Sequence, residues 1–369
     1  MMKADNTRYR IDQIHAKSLE GNSIGDSTEK YASIYLPPGY FSPENAQLRF
    51  PVIYLLHGYS GDIDDLLIIS KNDIPKHYSL LYRLLLRRFF ANFPTFEVLD
   101  DLIVTGTLKP FILVQPDGSL SLENIYCEKG FNGKIKKKGS LYLNSPYTGR
   151  YMDYIFDDVI EYVDSYYRTI PEKSNRALVG ASMGGFGALL GGIFKSHLFG
   201  SIAALSPSIS WLDLVNREEI VPFYRLIYGK RKATKIGRRD LNDILHTVNL
   251  VFSKENPLIP SIKRDKNGNF KMLNKKVKSK WKEFDLKFMV ERNLNVFDGC
   301  NLLITCEETD EYGFKDQIEQ FLHTLKSQGI SVTVDIFQDR FASRVSPHMI
   351  GIVKKILPAF EFCAKNFSY

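Results

Sequence analysis

The pentapeptide Gly180-Ala181-Ser182-Met183-Gly184 sets a serine between small residues two positions before it and two after. That spacing suits a sharp strand-to-helix turn in which two backbones approach closely and the serine stands at the tip. A hydroxyl is a weak nucleophile, so chemistry at Ser182 needs a general base for its proton and a carboxylate to fix the base's tautomer. Where such a turn carries the nucleophile of an acyl transfer, the acid and then the histidine follow along the chain. Four histidines come after Ser182: His197, His246, His323 and His348. His197 falls at the end of the helix that the turn opens, His246 in an irregular stretch, and His323 inside a helical segment. His348 follows the last strand across a short polar loop and precedes the last helix, so it is the expected base.

The run after the strand at 302–306 offers Glu307, Glu308, Asp310 and Glu311 at one edge of a sheet. Asp310 is the expected acid, although spacing alone leaves its neighbours open. Acyl transfer also needs backbone N–H groups aimed at the oxygen that becomes negative. Met183, the residue after the nucleophile, supplies one, and the turn His57-Gly58-Tyr59 after an earlier strand supplies the second through Tyr59. His57 is expected to brace this loop on the substrate side rather than to titrate.

These residues need a scaffold that brings them to one edge. Short runs rich in Val, Ile and Leu, bounded by Gly, Pro or Asp, predict buried strands at 31–36, 52–57, 111–115, 176–181, 201–205, 302–306 and 332–337. Apolar positions recurring at three and four residues predict helices at 152–167, 185–194, 315–327 and 349–364. The alternation implies an α/β sheet with helices on both faces. Two stretches interrupt it. The segment 76–108, with the apolar and basic run 80–90, predicts an extra helix and loop. The segment 213–287 lacks the alternation and carries the turn signal Asp265-Lys266-Asn267-Gly268. It reads as an insertion into a core formed by 1–212 and 288–369, because so polar a stretch would bury only a thin core alone.

Composition narrows the classes further. The chain has 369 residues, 44% of them hydrophobic and 25% charged, which excludes a disordered protein. The net charge of +7 is unevenly placed: 213–287 holds 19 Lys and Arg against 9 Asp and Glu, a net of +10 that leaves −3 for the remainder. The basic excess is thus a property of the insertion, a solvated surface or an attractor of anionic groups. The longest uncharged stretch, 177–194, holds six glycines and is too poor in apolar side chains for a membrane span. Lys3, Asp5 and Arg8 with no apolar run after them argue against a secretory signal, so a cytoplasmic protein is expected. Cys127, Cys300, Cys306 and Cys363 show neither CxxC spacing nor a histidine at ligand distance; they read as buried thiols, and no metal site is expected.

Several separated blocks together resemble the esterase family that includes esterase D and S-formylglutathione hydrolase, the feruloyl and acetylxylan esterases, and the mycolyltransferases of the antigen 85 group. The resemblance runs through YLPPGY at 35–40, PVIYLLHGYSGD at 51–62, VQPDG at 114–118, LYLNSPYTG at 141–149, VDSYYRTI at 163–170 and NRALVGASMGGFGAL at 175–189. It implies the α/β-hydrolase fold, a Ser182–His348–Asp310 triad and no cofactor. In that family the acid follows a pattern like G-x-x-D; here Glu307 replaces the glycine, which supports Asp310 and keeps Glu308 in play. The histidine's place is held by Ser346-Pro347-His348. The blocks resemble the feruloyl and carbohydrate-esterase branch more than S-formylglutathione hydrolase, which has a cysteine-containing loop where this chain has Tyr59-Ser60-Gly61 and a histidine where it has Phe186.

The expectation is a serine carboxylic-ester hydrolase acting on a small-molecule ester through an acyl-enzyme. A base near its ordinary pKa of about 6.5 would set the acid limb of its pH profile. The insertion would form a cap, with Trp211 and the aromatic stretch 223–228 either walling a pocket for a phenolic acyl group or anchoring the cap to the core. S-formylglutathione hydrolase or other thioesterase chemistry, peptidase activity and acyl transfer share the turn. A non-enzymatic polyanion binder is the rival class. No specific nucleic-acid partner and no membrane span are expected, and self-association into a homo-oligomer is left open.

Overall fold

The computed structural model describes residues 7–59, 61, 63, 95–120, 138–215, 244, 247, 248, 250–252, 262–264, 270–272, 281–340, 342 and 346–369. Eight strands form one sheet: β1 (Tyr9–His15), β2 (Glu29–Tyr35), β3 (Val52–Leu56), β4 (Ile112–Pro116), β5 (Arg176–Ala181), β6 (Ser201–Leu205), β7 (Asn301–Glu307) and β8 (Thr333–Phe337). Their order across the sheet is β1-β2-β4-β3-β5-β6-β7-β8. The β1–β2 and β2–β4 pairs are antiparallel and every other pair is parallel.

The central strands β3 to β6 are buried throughout and mostly apolar because both their faces are covered. Ile53, Leu55, Val179, Ala203 and Leu205 point to one face, where they meet α1 (Phe96–Val104) and α7 (Pro347–Lys365) through Leu99, Ile356 and Phe360. Tyr54, Leu56, Leu178, Ile202 and Ile304 point to the other. There they meet α2 (Val159–Tyr166), α3 (Met183–Phe194), α5 (Leu286–Arg292) and α6 (Phe314–Ser327). In α6 the buried Phe314, Ile318, Phe321 and Leu325 recur at four- and three-residue steps, and burial of each contributes about 2 kcal/mol.

Strands expected at 176–181 and 201–205 have those bounds, and the others shift by one or two residues. β1 was not among the expected strands. In YRIDQIH only Ile14 is buried, because β1 lies at the sheet edge and leaves its other side chains exposed or half-buried. The run 80–90 lies outside the described residues; α1 is the described helix of the segment 76–108. Within 213–287 the strands Ile262–Arg264 and Phe270–Met272 pair antiparallel, in a stretch where the sequence shows no strand–helix alternation. The expected insertion boundaries fall inside α4 (Trp211–Val215) and α5, so both junctions continue as helix. Cys306 and Cys363 are buried, Cys300 is half-buried, and Cys127 lies outside the described residues. Among the described residues there is no helix long and apolar enough to cross a membrane and no cluster of metal-ligating side chains.

Candidate active site

From β3 the chain steps to β4 on one side, whereas β5 to β8 extend to the other. The crevice beyond the carboxyl ends at such a reversal is where this kind of sheet takes ligands. His57 and Ser182 emerge there side by side, since Leu56 is in register with Gly180.

Ser182 has φ 57° and ψ −114°, a conformation that costs a residue with a Cβ about 1–3 kcal/mol and persists only where its surroundings enforce it. Its N–H donates to Leu205 O at 2.8 Å, and its carbonyl accepts from Phe186 N–H at 3.1 Å. The flanking glycines are required by space: a Cβ on Gly180 would lie 2.0 Å from Gly184 O, and one on Gly184 would lie 2.0 Å from Leu56 O. The side chain of Ser182 stays half-exposed between fully buried neighbours.

The loop after β3 lies against this turn. A Cβ on Gly58 would stand 3.7 Å from Ser182 Cβ, and one on Gly139 would meet both Met183 Sδ and Tyr59 O. Met183 opens α3, so its N–H is one of the first-turn donors left without an intrahelical acceptor. His57 is buried. Its Nε2 accepts from Gly118 N–H at 2.9 Å, so Nδ1 carries the proton and donates to Gly58 O at 2.8 Å. Tyr142 Oη donates to His57 O at 3.1 Å. With Nε2 an acceptor, the 4.0 Å approach of Asp117 Oδ1 is not an ion pair. His57 therefore braces the loop. Tyr59 Oη lies 2.5 Å from Oγ1 of Thr247, a residue of the segment 213–287.

At the far side of the crevice, His348 Nδ1 and Asp310 Oδ2 are 2.7 Å apart, with both side chains buried. Asp310 Oδ1 accepts from Tyr312 N–H at 2.9 Å, which orients the carboxylate. The rings of Tyr312 and Phe314 stand edge-on to the imidazole at 4.8 and 5.3 Å. Burial lowers the pKa of His348, but the charge and hydrogen bond of Asp310, with the charge of Glu311, outweigh it, so the net shift is upward from 6.5. The expectation of a base near its ordinary value is corrected accordingly. Among the described residues Ser182 Oγ makes no hydrogen bond, and His348 makes its side-chain bond to Asp310.

The other candidates sort by position. Glu308 is half-buried and bonds through its backbone to Phe337 O. Glu307 is buried and ties the loop internally, accepting from Thr309 N–H at 2.6 Å and Asp339 N–H at 3.1 Å. His197 and His323 are exposed on the helical side, and His246 lies outside the described residues. Trp211 is only 3% exposed and packs edge-on against Phe186 at 5.3 Å; 223–228 lie outside the described residues. Glu311, whose role spacing did not single out, accepts from the backbone N–H of His348 at 2.8 Å. A groove of about 410 Å³ lined by residues 293–300 and 328–331 opens at the amino ends of β7 and β8, the edge opposite Ser182.

The strand order, the strained serine turn and the position of the histidine after the last strand define an α/β-hydrolase fold. The family model described as "Putative esterase" matches residues 23–294, and the chain belongs to that family. The matched range includes Tyr59, Ser182 and Met183 and ends before Asp310 and His348. A curated relative, an endo-1,4-beta-xylanase/feruloyl esterase of Xylanibacter ruminicola, is 27% identical over 201 residues. That alignment spans 54% of this chain and 22% of the relative, so the match covers about a fifth of that protein's length. Among solved structures, a ferulic acid esterase superposes with a TM-score of 0.53 at 17% identity, covering 98% of each chain. An S-formylglutathione hydrolase from Agrobacterium tumefaciens gives 0.54 at 14% identity over 98% of this chain and 95% of its own. A CE1 ferulic acid esterase from Anaeromyces mucronatus, solved with ferulic acid, gives 0.51 at 16% over 100% and 95%. At these identities the likenesses speak for the fold.

Proposed function

We propose that the chain is a serine carboxylic-ester hydrolase of the feruloyl and carbohydrate-esterase type, with Ser182 as nucleophile, His348 as base and Asp310 as acid. The observation that carries this reading is the 2.7 Å pairing of His348 Nδ1 with Asp310 at the same sheet edge as the strained turn of Ser182. Ser182 Oγ attacks the ester carbonyl while His348 Nε2 takes its proton, and the N–H groups of Met183 and Tyr59 receive the negative oxygen. Collapse expels the alcohol, which takes the proton from His348. Water, deprotonated by the same imidazole, then releases the acid and regenerates Ser182. The steps draw on this chain's side chains, its backbone donors and water.

The insertion acts as a cap whose described part reaches the site through Thr247. Phe186, packed into the core beside Trp211, occupies the position where S-formylglutathione hydrolases carry a histidine, which favours ester over thioester substrates. Hydrolysis of p-nitrophenyl acetate by the wild type and by Ser182→Ala tests the nucleophile; equal turnover would overturn the assignment. Methyl ferulate against short p-nitrophenyl esters tests the acyl class, and a preference for the aromatic acid is the expected result.

A further inference from the structure

Two consecutive carboxylates, Asp310 and Glu311, address the same histidine by different atoms. Asp310 bonds the ring. Glu311 Oε2 accepts from the backbone N–H of His348 at 2.8 Å, and Glu311 Oε1 accepts from Ser346 Oγ. Ser346 is the N-cap of α7, and its Oγ accepts from Met349 N–H at 3.2 Å. The first three positions of α7 are thereby accounted for: Pro347 has no N–H, His348 donates to Glu311, and Met349 donates to Ser346. Glu311 thus completes a cap that the serine alone leaves open, with its charge at the positive end of a 19-residue helix.

We propose that Glu311 is a positioning residue of the hydrolytic site, holding the helical turn that carries His348 while Asp310 holds its imidazole. The proposal rests on the serine-hydrolase reading above. A ring whose backbone is free to shift would lose its aim at Ser182 even with Asp310 in place, and misplacement of about 1 Å at a catalytic group can cost 10²-fold in rate. The titratable groups that face His348 among the described residues are Asp310, Glu311 and Tyr312 from the loop after β7, with the Cys306 thiol behind Asp310. Burial pushes the Glu311 carboxyl upward, with the neighbouring Asp310 adding to the rise. A half-buried second carboxylate carries that cost because it holds the helix end and its charge favours the imidazolium formed during the reaction.

The experiment measures kcat and KM for p-nitrophenyl acetate from pH 5 to 9 on the wild type, Glu311→Gln, Glu311→Ala and Ser182→Ala, with thermal melting of each. Glu311→Gln keeps the side-chain volume and one acceptor but removes the charge. The expected result is a kcat about tenfold lower with KM within twofold, and an acid limb moved to lower pH. Glu311→Ala loses more in kcat; should it fail to fold, Glu311→Gln decides. Unchanged kcat and acid limb in a folded Glu311→Gln, or a lowered melting temperature alone, overturns the proposal. Ser182→Ala as active as the wild type overturns the parent reading instead, and the two failures are thereby told apart.

Discussion

Thr247 Oγ1 and Tyr59 Oη are 2.5 Å apart, so the basic segment 213–287 bonds directly to the residue expected to donate an N–H to the reacting oxygen. The two residues are 188 positions apart in the chain, and no local force brings them together. A single such bond contributes about 1 kcal/mol net, or roughly fivefold in a rate that depends on it. Thr247→Val and Tyr59→Phe are each expected to lower kcat/KM by about that factor. Because both remove the same bond, the double variant should lose little more than either single one. A fully additive double-mutant cycle would show that the insertion and the loop act independently.

Asp310 and Glu308 were the two acids that the family pattern left in play, and the structure sets Asp310 alone against His348 Nδ1. Asp310→Asn presents an amide where the ring needs an acceptor and is expected to lower kcat by about 10³–10⁴-fold. Glu308→Gln should leave kcat within twofold, since the bond Glu308 makes to Phe337 is through its backbone. Parallel steady-state kinetics on the two variants decide between them; the reverse order of losses would move the acid role to Glu308.

Much of this was legible beforehand for a physical reason. The central strands are buried on both faces, so their sequences are continuous apolar runs with sharp ends, and the serine turn needs glycines that any reader of the chain can see. His348 could be singled out because it follows the last strand across a short polar loop and precedes the last helix. The choice within Glu307 to Glu311 could not be made from spacing, because that loop folds back on itself. Asp310 N–H bonds Glu307 O while Glu308 N–H bonds Phe337 O, and the fold of the loop sets Asp310 on the His348 ring and Glu311 on the His348 backbone. β1 escaped notice because an edge strand keeps polar residues, and the antiparallel pair 262–264 with 270–272 because its lysines hide the β pattern.

The upward shift of His348 has a definite sign in the pH profile. The imidazole must be neutral to accept the Ser182 proton, and Asp310 with Glu311 favours its charged form. Activity is therefore expected to fall as pH drops through a value above 6.5, rather than at the ordinary histidine pKa. The kcat/KM profile of the free enzyme measures this directly. An acid limb at or below 6.5 would mean that burial, which pushes the other way, prevails.

The close approach of Gly184 to β3 predicts a strong destabilisation of the serine turn on substitution. A Cβ at 184 would sit 2.0 Å from Leu56 O and 2.8 Å from His57 O, both backbone atoms of a fully buried strand end. Neither can withdraw without breaking the register that holds Leu56 opposite Gly180. Gly184→Ala is expected to cost about 3 kcal/mol or more by overpacking. What survives folding should also lose activity, because the same movement displaces the His57-Gly58-Tyr59 loop from Ser182. Gly106→Ala, where no atom lies within 4 Å of the added Cβ, is the control. It bears only the strain of φ +74°, and its loss in chemical denaturation should be the smaller of the two.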